Sequence, residues 1–426
     1  MKLMPKLQVV FLFIYCFSSL FVNAQISSEA DDMVPTEYSS GAQDQIYIFC
    51  TAPNEQAGML KADAPGGGAA SFEWGKYNSA TGSFDVFLTE NSGSSSSTVN
   101  NLADGGYRVT VTEGTESTVY TAWVMNSWYT ATAEVSESTC DYFQLTAAFE
   151  EANLTYYDLP TGQAKTLFKD VKAKWMVDGL EISSLLSPQI YGPPAENTNY
   201  VLTVYDRFGC QVEVPVTYQS VVTEASFTAN PSQGDAPLEV AFTSTSKNAD
   251  EYEWFFFRER GELIEEGQAG GVVDSILQTA IDPNPTFVFE KTGSYEVKLV
   301  TIKNNGDFAC TDTVYLDGYI EVDESDLFVP NVFTPNGDGD NDEFVVAFKS
   351  MQSVDIQIFN RWGRKVHVWK SSNIRNSEEA QKEAVWDGRI GGRLASPGVY
   401  YYVVEAKGRD GKAHNDHGFV HLFREK

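Results

Sequence analysis

Runs of alternating apolar and polar residues, broken every few positions by Gly, Asn, Asp or Ser, recur along this chain. No segment carries a convincing long amphipathic helix. That pattern builds short, half-buried strands joined by turns. With 42% hydrophobic and 13% aromatic residues the chain can bury real cores, which excludes a disordered polymer. At 426 residues it should divide into roughly two to four domains. The expectation is an all-β protein made of tandem immunoglobulin-like β-sandwich modules.

The N-terminus sets the compartment. Residues 1–24 read as a signal peptide: Lys2 and Lys6 precede an apolar stretch running from Val9 to Val22, and Val22-Asn23-Ala24 offers a small-residue cleavage site before Gln25. Ile14-Tyr15 stand before Cys16 where a lipoprotein would carry small residues. The mature protein should be secreted and soluble unless something holds it to a surface. Four cysteines then remain, Cys50, Cys140, Cys210 and Cys310, with no CxxC spacing for zinc. An oxidising exterior favours disulfides, and four cysteines allow three complete pairings. Cys140 and Cys210 bracket one candidate module and are the first choice; Cys50 with Cys140 is second, and Cys310 is then a candidate free thiol.

Strand patterning places the modules. Residues 25–44 are an acidic, polar linker. A first sandwich covers 45–137, with strands such as Gln45-Ile-Tyr-Ile-Phe-Cys and Gly106-Tyr-Arg-Val-Thr-Val-Thr. A second covers 138–222, including Tyr200-Val-Leu-Thr-Val-Tyr and a hairpin turn at Asp206-Arg-Phe-Gly-Cys. A third covers 223–323 and a fourth 324–426.

Charge separates the last module from the rest. The chain has 59 Asp+Glu against 30 Lys+Arg. Residues 324–426 hold 15 acids and 14 bases, whereas residues 25–323 hold 44 acids and 14 bases. So acidic a chain excludes nucleic acid as a partner, because binding it rests on neutralising phosphates. The asymmetry suggests that the terminal module answers to a different partner.

The third module resembles a PKD domain on Ala225-Ser-Phe-Thr-Ala-Asn-Pro, Ala236-Pro-Leu-Glu-Val-Ala-Phe-Thr-Ser, Tyr252-Glu-Trp-Phe-Phe-Phe and Gly293-Ser-Tyr-Glu-Val-Lys-Leu-Val, with Trp254 as core tryptophan. The family's Trp-Asp-Phe-Gly-Asp-Gly turn is absent, since Phe255-Phe256-Phe257-Arg258 follow Trp254. PKD modules are spacers or weak binders.

The fourth module resembles the gliding-motility-associated C-terminal domain, the type B sorting signal of type IX secretion in Bacteroidetes. The resemblance rests on Phe328-Val-Pro-Asn-Val-Phe-Thr-Pro-Asn-Gly-Asp-Gly-Asp-Asn-Asp, Ile358-Phe-Asn-Arg-Trp-Gly, Val385-Trp-Asp-Gly, Pro397-Gly-Val-Tyr-Tyr-Tyr-Val-Val and Gly418-Phe-Val-His-Leu-Phe-Arg. Its motif residues here are Asn360, Arg361, Trp362, Gly363, Trp386, Asp387, Gly388, Pro397, Gly398 and Tyr400. Read from the residues alone, the glycines sit at turns, and Trp362 and Trp386 can plug a small core. A polar insertion at 371–383 reads as an exposed loop or short helix. The resemblance implies export through the type IX translocon, then retention outside the cell by an outer-membrane β-barrel of the SprF/PorP type. The protein would act there as an adhesin or as an accessory subunit of a motility or secretion assembly.

Other sites each have two readings. Asn336, Asp338, Asp340 and Asp342 place oxygens at alternate positions, as a calcium loop does or as a solvated turn whose side chains bond their own backbone does. His414, His417 and His421 lack a metal-ligand spacing and read as solvent-facing. Gly66-Gly-Gly lacks the following Lys-Ser/Thr of a phosphate loop, and no Gly-x-Ser-x-Gly elbow occurs. The reading is therefore non-enzymatic. Trp74, Tyr77, Trp123, Trp128 and Tyr129 either pack the first core or line a surface for glycan, which makes a surface carbohydrate-binding protein the alternative. Asp274-Ser275-Ile276 and Asp312-Thr313-Val314 resemble an O-glycosylation sequon.

Overall fold

The structure, a computed structural model, describes residues 26–270, 274–372, 374 and 381–424. The expected signal peptide lies outside the described residues. So does most of the 371–383 insertion, although Ser371 and Ser372 end one strand and Gln381 begins another. Nearly every described element is a strand, and the single helix among the described residues is Arg260–Gln268. The all-β expectation holds.

Backbone contacts group the chain into two compact units. One runs through Ser136 and includes Gln144–Pro188 and Asn199–Thr217; the other holds Glu137–Phe143, Gln189–Thr198 and everything from Tyr218. The residues of the expected second module are thus divided between them.

In the first unit a six-stranded sheet has the order Asp32–Pro35, Gln45–Cys50, Glu116–Ser127, Gly105–Glu113, Ala70–Asn78, Ser83–Ser94. It faces a sheet of Ile26–Ser27, Gly58–Asp63 and Ser96–Leu102. Gln45–Cys50 runs parallel to Glu116–Ser127, and the other pairs are antiparallel. Gly58–Asp63 alternates between buried and half-buried residues, so Leu60 and Ala62 enter the core beside Phe72, Trp74 and Val109. Within the expected linker, the described residues 26–44 carry strands. Asp32–Pro35 pairs with Gln45–Cys50, and the buried Tyr38 donates to the Asp44 carboxylate at 2.9 Å. The acidic composition hid the one aromatic side chain that anchors the segment.

The second unit contains the third and fourth modules. Leu238–Ser244 alternates strictly, placing Leu238, Val240 and Phe242 in a core with Trp254, Phe256 and Phe289. Trp254 is buried, as expected, and its indole N–H reaches the Asp282 carbonyl at 2.8 Å. In the fourth module a five-stranded sheet has the order Val332–Phe333, Ala413–Leu422, Gly398–Gly408, Met351–Phe359, Lys365–Ser372. It packs on Asp326–Phe328, Phe344–Lys349 and Gln381–Trp386. Gly398–Gly408 buries every second residue from Tyr400 onward.

The disulfide expectation is corrected. The bonds are Cys50–Cys210 and Cys140–Cys310, not Cys140–Cys210 or Cys50–Cys140, and Cys310 is not a free thiol. Their Cα atoms lie 5.1 and 5.4 Å apart, within the reach a disulfide requires. Nearness in sequence was the wrong guide, because each bond closes a span of 160 or 170 residues within one unit.

Candidate functional site

The motif residues of the fourth module gather at one end of its sandwich. The turn joining Met351–Phe359 to Lys365–Ser372 is built by Asn360. Its side-chain oxygen accepts from the amides of Trp362 (3.1 Å) and Arg364 (3.0 Å), while its backbone N–H donates to the Arg364 carbonyl at 2.9 Å. Gly363 completes the turn at φ 72°, where a side chain would be strained. Asparagine followed three residues later by glycine is what such a local cap requires.

Trp386 and Trp362 have opposite fates. Trp386 is buried, with its indole N–H on the Arg389 carbonyl at 2.7 Å. Trp362 is 81% exposed and does not plug the core. It sits in a turn with no strand to turn its side chain inward. Asp387 accepts from the Arg389 amide at 2.9 Å, and Gly388, at φ 72°, lets Pro335 approach so closely that a Cβ would meet its Cγ at 2.8 Å. Arg424 ties this end together, donating to the carbonyls of Ala395, Pro335 and Gly388 at 3.2, 2.9 and 3.1 Å. Arg424 lies in the closing sequence motif, but no local pattern in that motif marks it as a clamp.

Between the turn and the Arg389–Ile390/Arg393–Leu394 hairpin lies a cavity of about 230 Å³ lined by Arg361, Trp362, Leu394 and Tyr400, among others. The Arg361 guanidinium lies over the backbone of Gly398, where a Cβ would come within 2.7 Å of it. It also lies 5.6 Å from the Trp362 ring centroid. Tyr400 packs edge-on against Trp386 at 5.0 Å and donates to the Ser396 carbonyl at 2.9 Å. Burial raises the Tyr400 phenol pKa, opposed by the nearby charges of Arg361 and Arg424. Pro397 is exposed, just before Gly398.

In the loop at 336–342 the side-chain oxygens of Asn336, Asp338 and Asp342 bond within the loop itself. Asp342 accepts from the amides of Gly337 (2.6 Å) and Gly339 (2.8 Å), Asn336 from the Asp338 amide and Asp338 from the Asp340 amide, both at 3.0 Å. The backbone donors, Gly337 first, hold the Asp342 carboxyl pKa below its ordinary value. Among the described residues no group of three or more His, Cys, Asp or Glu is arranged to hold a metal. The bonds within the loop are those of a turn whose side chains cap their own backbone. Three of the four histidines are separately engaged: His414 with the Ser325 hydroxyl at 2.7 Å, His367 with the Val385 carbonyl at 2.7 Å, and His421 against Phe419 and Phe423.

A larger cleft of about 830 Å³ within the second unit is lined by many charges, several of which pair with one another. Arg409 meets Glu290 at 2.8 Å, Lys291 meets Glu262 at 2.9 Å, and Lys412 meets Glu324 at 2.7 Å. In the first unit, Trp74, Trp123 and Tyr129 are buried, and Tyr77 and Trp128 are half-buried. The Trp123 N–H donates to the Tyr38 hydroxyl at 2.6 Å, and Tyr77 packs against Trp123 at 5.7 Å. Trp74 belongs to the hydrophobic core of this unit.

Residues 327–422 match the family model described as the CHU_C type IX secretion signal domain. No curated protein matches the chain. Among solved structures, the chain is similar to a tetra-tandem repeat from the extending region of a large adhesion protein: 13% identity, 89% of this chain and 99% of that one, TM-score 0.24. It is also similar to a three-immunoglobulin-domain fragment of titin, at 11% identity over 70% of this chain and 99% of that one, TM-score 0.27. The three N-terminal domains of the bacteriophage RB49 outer capsid protein Hoc align at 11% identity over 61% of this chain and 92% of that one, TM-score 0.20. At such scores the fold class rests on the sheets described above. Among the described residues no helix is long and apolar enough to cross a membrane.

Proposed function

We propose that this chain, whose residues 327–422 match a type IX secretion signal domain, is a non-enzymatic cell-surface protein. It is exported by type IX secretion and held outside the cell through that terminal module. An outer-membrane β-barrel of the SprF/PorP type is the proposed holder. The acidic β-modules upstream are what the module delivers, as an adhesin or as an accessory subunit of a surface assembly. The terminal match carries the reading. It is supported by charge, since residues 324–426 are nearly balanced while residues 25–323 carry 44 acids against 14 bases. Three ion pairs in the cleft of about 830 Å³ within the second unit support a structural role.

The test is to delete residues 324–426 and fractionate the cells. The shortened chain should be absent from the outer surface. Its continued display there would sink the reading.

A further inference from the structure

The end of the fourth module that carries the Asn360 turn is unlike the rest of the protein in charge. Residues 360–365 read Asn-Arg-Trp-Gly-Arg-Lys and residues 388–398 hold two arginines, and neither stretch contains an acid, in a chain with 59 acids against 30 bases. Arg361, Arg364, Lys365, Arg389 and Arg393 are all exposed there. Among the described residues only Arg389 of these has a carboxylate partner, Asp387 at 3.7 Å.

The same end is also the place where an indole is left outside. Trp362 is 81% exposed and Leu394 59%, and both line the cavity of about 230 Å³ with Arg361. A large apolar surface held open costs hydration free energy, about 25 cal/mol per Å². Tryptophan and arginine side by side in a concave site are the residue types that dominate binding hot spots.

We propose that this cavity and its arginines form a docking site for an acidic protein segment. Carboxylates of the segment would pair with Arg361 and Arg364, whose planar forks match that geometry. An apolar side chain of the segment would enter the cavity against Trp362. The inference rests on the reading of the terminal module as the docking one, and it names the chemistry of the partner.

Charge selects the occupant. A second copy of the mature chain carries 59 acids against 28 bases and would be repelled as a whole. An anionic lipid surface would repel the acidic upstream residues in the same way, and it has no side chain to fill a walled cavity. A local acidic-aromatic segment meets the cations without presenting a large field.

The experiment uses the purified mature chain at about 0.15 M salt, where screening confines the reading to short range. Binding is followed by titration with poly-glutamate, with a glutamate–tyrosine copolymer, and with anionic phosphatidylglycerol vesicles. The copolymer should bind most tightly. Arg361→Glu with Arg364→Glu should weaken it at least about tenfold, and Trp362→Ala should erase its advantage over poly-glutamate. Tyr401→Ser with Phe419→Ser, on the outer face of the five-stranded sheet, should leave binding unchanged. Vesicles binding as tightly as the copolymer would overturn the proposal, as would loss of binding only in the Tyr401/Phe419 variant. The same variants, introduced into cells, separate the two readings. If deleting residues 324–426 releases the protein but the arginine and tryptophan variants stay attached, the tip is the wrong surface and the retention reading survives.

Discussion

The Arg409 guanidinium donates to the Glu290 carboxylate at 2.8 Å and, through its other terminal nitrogen, to the Ile374 carbonyl at 2.9 Å. Arg409 lies in the turn between the last two long strands, and Glu290 follows Thr286–Phe289 in the third module. A second tie runs from the Ala236 amide to the Ser350 hydroxyl at 3.0 Å, which donates onward to the Asp323 carbonyl at 2.7 Å. The third and fourth modules are therefore fastened by hydrogen bonds.

The two ends of the Arg409–Glu290 pair should not be equivalent. The Arg409 side chain is only 9% exposed, whereas that of Glu290 is 61% exposed. Arg409→Ala should cost about 1–3 kcal/mol, because it strips partners from part-buried acceptors. Glu290→Gln should cost under about 1 kcal/mol, as exposed pairs do. Thermal unfolding of the two variants checks this; equal losses would mean that the buried guanidinium contributes nothing beyond the surface pair.

Aromatic residues should divide sharply by position. Phe256 stacks on Phe287 at 4.3 Å in the third core, and Phe256→Ala should destabilise by about 3–5 kcal/mol. Trp362→Ala should change stability by no more than about 0.5 kcal/mol, because the ring is in solvent. Denaturant midpoints measure both. A large loss at Trp362 would contradict its placement.

Acid should loosen the start of the fourth module. Burial raises the Asp410 carboxyl pKa, but hydrogen bonds from the Ser325 hydroxyl and the Lys412 and Ser325 amides outweigh it, so the net shift is below the ordinary 3.8. A carboxyl lowered on folding contributes stability that is complete above its unfolded value and is lost as pH falls through the folded one. The difference in melting temperature between the native chain and Asp410→Asn should therefore be widest near neutrality and shrink between about pH 5 and pH 2. A difference that is constant with pH would rule out this carboxylate as the source.

The cysteine pairing is directly checkable. A non-reducing digest should yield one peptide pair containing Cys50 and Cys210 and another containing Cys140 and Cys310. Replacing either pair by alanine should cost about 2–5 kcal/mol, given the long spans closed. Any peptide joining Cys140 to Cys210 would refute the pairing.

Strands were readable because alternation survives folding. Leu238–Ser244 and Gly398–Gly408 bury alternate residues, as the letters alone suggest. The motif at Asn360 and Gly363 was readable as a turn for the same local reason. What the letters could not show was direction in space. Trp362 and Trp386 look alike in their motifs, yet one is exposed and one is buried. Tyr38 folds an acidic segment onto Trp123 through a hydroxyl contact 85 residues away, which no local pattern records. The disulfides failed for that reason too: their partners are set by long-range packing.

The two disulfides also interleave, since Cys140 falls inside the span closed by Cys50–Cys210 and Cys210 inside that closed by Cys140–Cys310. Tension applied from the N-terminal side against a fixed C-terminus would then travel through two covalent routes at once. One runs along the chain from Cys50 to Cys140 and crosses to Cys310; the other crosses first to Cys210 and continues along the chain to Cys310. Even with every strand peeled away, the stretch from Cys50 to Cys310 could pay out only a fraction of its contour length, a built-in limit on how far this chain can be drawn.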